Sequence, residues 1–161
     1  MESEKNLRNE SETYQARAKW HYDAAVQAQN QVNAINGEIS DTQSRIQAVV
    51  NFENGTLTGL ETTNNTLTDD LKNMGKAVSA GLADENAGSG AKNLNKNNGA
   101  QLKIVRDKCN AIITRLNRDL VSLNGSLTKA QADLDRENAA VKSNQRLQQQ
   151  VDNELRQNYP Q

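Results

Sequence analysis

From Tyr14 onward, apolar or small residues recur at alternating steps of four and three: Ala18, His21, Ala25, Ala28, Val32, Ile35, Ile39, Thr42, Ile46 and Val49. A seven-residue repeat kept up over this distance selects a long helix with one narrow apolar stripe, because only a helix returns positions i, i+3, i+4 and i+7 to one face. Strands, with their period of two, are excluded over the same stretch. Two more stripes follow. Leu57, Leu60, Asn64, Leu67, Leu71, Met74, Val78 and Leu82 form one, and Leu102, Val105, Cys109, Ile112, Leu116, Leu120, Leu123, Leu127, Ala130 and Leu134 form the other, which continues sparsely through Val141, Val151 and Leu155. The successive four-residue steps Ile112–Leu116–Leu120 resemble a stutter, a local unwinding of a supercoil.

The stripes predict helices over about 4–51, 57–82 and 99–156, in a single helical-bundle domain covering 1–161. "NFENG" (51–55) separates the first two, with Gly55 suited to the left-handed conformation that ends a helix and Thr58/Glu61 at capping-box spacing for the next. So short a connection predicts that helices one and two run antiparallel. The Gly/Asn-rich stretch 83–98 reads as a loop, and Asn98 with Gln101 offers a cap for the third helix. The expected fold class is all-α: an elongated, antiparallel, coiled-coil-like bundle of three principal helices, equally a helical hairpin with a shorter middle helix.

Composition agrees with a thin seam and a large wetted surface. One Phe, one Trp and three Tyr supply too little aromatic volume for an ordinary globular core, and the mean hydropathy is −0.87. Net charge is −1, so the strong basic excess of a nucleic-acid binder is missing, as are aromatic stacking platforms. No stretch approaches the length of a membrane span. The charged segment "MESEKNLRNESETYQ" (1–15) lacks the apolar stretch of a cleavable signal peptide. The expected location is therefore cytoplasmic, or exported without such a leader.

Asn-Gly, a strong turn signal, falls inside two helical stripes, at 36–37 and 124–125. "VNAINGEISDTQ" (32–43) and "LVSLNGSLTKAQ" (120–131) match at the apolar, Asn, Gly, hydroxyl and Gln offsets. Either both glycines sit on a polar face, or they mark a shared bend or a close backbone approach.

No constellation for chemistry emerges. His21 is the one histidine; it falls on the seam, with no Ser or Cys in helical reach to form a nucleophile pair. Cys109 is the one cysteine, which excludes an internal disulfide and reads as a core thiol. Asp69 and Asp70 are adjacent and so point in different directions. "GSG" (88–90) lacks the strand and the Lys-Ser/Thr of a phosphate loop. No catalytic residue, cofactor, metal ligand or small-molecule substrate is expected. The acidic start of helix two (Glu53, Glu61, Asp69, Asp70) and the basic start of helix three (Lys103, Arg106, Lys108, Arg115, Arg118) are expected to pair with each other.

The order of features, with "AGSGAKNL" (87–94) between two long helices, resembles the small helical accessory proteins encoded beside LXG toxins of type VII secretion, and more distantly the WXG-type secreted hairpins. Gly90, Ala91 and Leu94 are similar in type to that family's loop, and Gly88 stands where its Trp-x-Gly core has Trp. The resemblance implies a partner or chaperone of a secreted helical toxin. A second likeness, to the Asn/Gln-rich trichocyst-matrix proteins of ciliates, implies the alternative of a self-assembling matrix or filament protein. Either way the expectation is a non-enzymatic interaction module that binds another helical protein or itself, without nucleic acid or membrane insertion. Helix three outruns helix one in the predicted spans, so Val141, Leu147, Val151 and Leu155 are the expected docking residues.

Overall fold

A computed structural model describes the backbone of residues 3–82 and 89–160, and the side chains of 3–77 and 93–160. The chain is all-helical, and no strand occurs among the described residues. Helix α1 spans Glu4–Asn51, a π-helical turn spans Phe52–Leu57, α2 spans Thr58–Leu82 and α3 spans Ser89–Asn158. By internal contacts the chain divides into unit 1, Met1–Ser40 with Val121–Gln161, and unit 2, Asp41–Leu120.

Unit 1 pairs the first part of α1 with the last part of α3. Ala25, Ala28 and Val32 form a buried cluster with Ala130 and Leu134, with Ile35 and Leu127 packed against it. Nearer the chain ends Leu7 and Val151 are buried, and Ser11 Oγ donates to Asp152 Oδ1 at 2.6 Å. As residue numbers rise along α1 their partners' numbers fall along α3, so the pair is antiparallel. The α1 stripe lies on the seam throughout, each of its members being buried or half-buried. Alanines at three of its positions, Ala18, Ala25 and Ala28, leave room for close helix approach but bury little apolar area each.

The expected antiparallel run of helices one and two is overturned here, because it rested on a reversal at "NFENG" that does not occur. Asn51 (φ −64°, ψ −40°) and Thr58 (φ −64°, ψ −38°) are both in right-handed helical conformation, and the Thr58 N–H reaches back five residues to the Glu53 carbonyl. The Thr58 hydroxyl donates to the same oxygen at 3.1 Å, so it does not cap a new helix. Gly55 remains helical, where it costs about 1 kcal/mol relative to Ala, a penalty that a long packed helix absorbs. α1, the π turn and α2 therefore follow one another without a break, and the chain has two long helical runs.

Unit 2 pairs the end of α1, the π turn and α2 with the first part of α3. Arg106 reaches Glu61 at 2.8 Å and Glu53 at 3.5 Å, and Asn98 Nδ2 donates to Asn64 Oδ1 at 2.9 Å. This pair too is antiparallel. The third helix starts at Ser89 instead of 99, so positions 89–98 of the expected loop are helical; Asn98 is tied across the pair and caps nothing. Asparagine is a weak helix former but not a breaker, and the Asn98–Asn64 hydrogen bond ties the end of this stretch across the pair. The rest of that loop, 83–88, lies outside the described residues.

Candidate functional site

The seam of unit 2 does not follow the stripe expected from the sequence. The seam positions step through Ile39, Thr42, Ile46 and Val49 of α1 to Glu53 of the π turn. They then continue at Leu57, Glu61, Asn64, Thr68, Leu71 and Gly75. Three four-residue steps in succession, 49 to 53 to 57 to 61, exceed the alternating pattern by one residue. The π turn, whose hydrogen bonds span five residues instead of four, is where that residue is taken up.

One extra residue turns every later position by about 100° about the helix axis. Thr68 becomes almost wholly buried, at 1% exposure, while Leu60, Leu67 and Met74 stand outward at 51%, 46% and 63%. The expected placing of those three in the core is thus corrected, and the cause is the π turn. On α3 a one-position shift seats Arg106 and Ile113, while Val105 and Ile112 are exposed. That shift removes the stutter expected at 112–120 and restores the alternation of threes and fours from Arg106 to Leu155. Val78 and Leu82, the last two members of the second stripe, have side chains outside the described set.

Polar groups on this seam are matched to one another. The Thr68 hydroxyl donates to the Asn64 carbonyl at 2.7 Å, Asn64 takes up Asn98, and Arg106 is held by two carboxylates. Among the described residues no buried side-chain N or O lacks a hydrogen-bond partner. The expected pairing of acidic α2 with basic α3 takes place at Arg106, whereas Lys103 turns to Asp107 of its own helix at 2.7 Å. Cys109 is buried on the seam.

Beside the seam runs a groove of about 320 Å³ lined by Leu60, Thr63, Asn64, Leu67, Asn98, Gln101 and Leu102. Its apolar floor of leucines and its rim of amides and a hydroxyl make it the candidate interaction site of unit 2. Leu60, Leu67 and Leu102 all belong to stripes that the sequence displays as core; a π turn has no short signature beyond a helix continuing through "NFENG".

The expected docking residues all belong to unit 1. Val151 is buried at 8% exposure and Leu147 is exposed at 37%, while Val141 and Leu155 are half-buried. That end of α3 is not unmatched: Ser11 of α1 donates to Asp152, and Leu7 one turn before it is buried. Leu147 shares an open groove of about 400 Å³ with Lys142, Ser143 and Arg146 along α3. The seam position next to it is taken by Gln148.

His21 is paired, a contact no sequence signal announced except that Glu137 falls on the heptad between Leu134 and Val141. The His21 Nδ1 lies 2.6 Å from Glu137 Oε2, both side chains being largely covered, and Arg136 Nε donates to Glu137 Oε1 at 3.3 Å. The hydrogen bond with His21, aided by Arg136, holds the Glu137 carboxyl below its ordinary range. Trp20 meets the His21 ring edge-on at 4.7 Å. No group of three or more His, Cys, Asp or Glu side chains suited to a metal ion occurs among the described residues, and no helix among them is long and apolar enough to cross a membrane.

The Asn-Gly pairs lie in unbroken helix. A Cβ added at Gly37 or Gly125 would meet nothing within 4 Å, so a close backbone approach there is ruled out. Both glycines sit on exposed faces.

Comparison of the chain with models of protein families, with curated proteins and with solved structures finds no match in any of the three.

Proposed function

We propose that this chain is a non-enzymatic helical interaction module, built as coiled-coil-like antiparallel helix pairs, which receives an amphipathic helix of a partner protein on the open side of unit 2. The observation that carries the reading is the ridge Leu60–Leu67–Met74. Three large apolar side chains stand outward at seven-residue spacing, about half exposed or more, and two of them, Leu60 and Leu67, line a groove between two helices. A third helix laying its own leucines along that groove would complete the layer that two helices leave half open. The amide rim of Thr63, Asn98 and Gln101 supplies hydrogen-bond partners for the incoming helix's flanks.

A helical segment of an exported toxin is the partner that the resemblance to LXG accessory proteins implies. Co-expression of this chain with the products of its neighbouring genes, followed by size and mass measurement, tests the reading. A complex of fixed stoichiometry, abolished by L60E/L67E while the chain stays folded, is the expected result. Assemblies of the chain alone that grow with concentration, and that the same double substitution disperses, would replace this reading with a self-assembling structural protein. A fixed complex indifferent to L60E/L67E would move the site elsewhere.

A further inference from the structure

We infer that the π turn at Phe52–Leu57 is a register-setting element: α2 has a second seating in unit 2, one residue back, in which Leu60, Leu67 and Met74 face α3 and Glu61 and Thr68 face outward. The inference concerns this chain alone and does not depend on the proposed function.

Two heptad frames compete in α2. Continuing the α1 frame without interruption, by steps from Ile39, Thr42, Ile46, Val49 and Glu53, gives seam positions Thr56, Leu60, Thr63, Leu67, Asp70 and Met74. The seated frame is Leu57, Glu61, Asn64, Thr68, Leu71 and Gly75. Each carries one mainly apolar line and one mainly polar line, so apolar burial alone leaves them near balance. The stripe that combines both apolar lines, Leu57, Leu60, Asn64, Leu67, Leu71 and Met74, lies midway, about half a residue's rotation from either.

What favours the present seating is polar. Arg106 is satisfied by Glu53 and Glu61, and Asn98 by Asn64. The π turn permits it by holding one extra residue, with the Thr58 amide and hydroxyl both spent on the Glu53 carbonyl. A π turn is a rare element that persists where packing on both sides demands it. Around it there is space: a Cβ at Gly55 or Gly59 would meet nothing within 4 Å, so a change of local winding meets no wall. Loss of the turn would rotate α2 and fold the ridge away, closing the surface without unfolding either helix.

The test is removal of the extra residue. In full-length chains carrying C109A, a thiol is placed by L67C or by T68C, and its alkylation rate is measured with and without deletion of Asn54. With the π turn intact, the L67C thiol reacts fast and the T68C thiol slowly. Deletion lets α1 run into the seated frame with ordinary winding, so the L67C thiol stays fast, while the T68C thiol, exposed in the second seating of the undeleted chain, is expected to slow by about tenfold, since a buried thiol must then await local opening before it reacts. Deletion of Gly55 in place of Asn54 leaves the same frame and must give the same slowing. A T68C rate unchanged by either deletion would show that the undeleted chain has no second seating to lose. A reversed order, L67C slow and T68C fast after deletion, would show that the frame is not set by the turn, and either result overturns the inference.

Discussion

Units 1 and 2 are both antiparallel helix pairs with seven-residue seams, yet they solve the seam differently. Unit 1 is packed by Ala25, Ala28, Val32, Ala130 and Leu134, in the frame that the sequence displays. Unit 2 buries Asn64 and Thr68 and half-buries Glu61, leaving three large apolar residues of the same helix outside. A seam that seats polar groups while leucines stay in water is held by the partners those groups find on it, Arg106 with Glu53 and Glu61 and Asn98 with Asn64. The contrast sets a seam that keeps to the displayed frame in unit 1 against a row of displaced apolar residues, Leu60, Leu67 and Met74, in unit 2.

The largest effects should separate buried from displaced leucines. Leu134→Ala in unit 1 and Leu57→Ala in unit 2 should each cost about 2–4 kcal/mol, the range for deleting a buried leucine side chain. Leu67→Ala should cost no more than about 0.5 kcal/mol, as at other exposed positions. Denaturant titrations combined with residue-resolved hydrogen exchange read both the size of the loss and the unit that bears it. Equal losses for Leu57→Ala and Leu67→Ala would erase the distinction between seam and ridge.

Next in size, Asn64→Ala should lower stability by about 1 kcal/mol, because it strands the Asn98 amide on a partly covered face. Its loss of protection should be confined to unit 2 amides. Gly37→Ala and Gly125→Ala should act oppositely, each raising stability by up to about 1 kcal/mol, since both sites are helical and open. A fall in melting temperature for either would reveal a neighbour or a bend at these sites.

The smallest effect is a pH slope in unit 1. The Glu137 carboxyl is held below its ordinary value of 4.5, chiefly by the hydrogen bond with His21. A carboxyl with a depressed folded pKa adds stability that is fully present above its unfolded pKa and is lost as pH falls through the folded value. The loss should therefore begin as the solution is acidified toward pH 4.5 and continue below it. Glu137→Gln should flatten that part of the stability profile, read by thermal melts across acid pH, and leave unit 2 untouched.

Those predictions bear on what was legible beforehand. The α1 stripe could be read residue by residue, because repetition over ten positions outweighs any single exception. Only its extension upstream to Leu7 and Ser11 went unread, and with it the cover that α1 gives Val151. Past Glu53 the stripe of apolar residues in α2 combines two lines, of which Leu57, Asn64 and Leu71 lie on the seam and Leu60, Leu67 and Met74 do not. One wide turn moves every later residue together. Asn54 and Gly55 favour a turn in isolation and so signal a stop in the sequence; here the flanking helices have too much packed seam on both sides to yield. The polar partners His21–Glu137, Asn64–Asn98 and Arg106 with Glu53 and Glu61 depend on which helix faces which, and that was decided by the missing reversal.

The lone thiol and the lone indole of this protein fall in different units. Cys109 lies buried in the seam of unit 2, and Trp20 stands in unit 1 against the His21 ring. Nature has in effect installed two separate gauges. Alkylation of the native sulfhydryl clocks the opening of one helix pair, and indole fluorescence watches the other, so unlabelled wild-type material suffices to ask whether the two halves come apart together or one at a time.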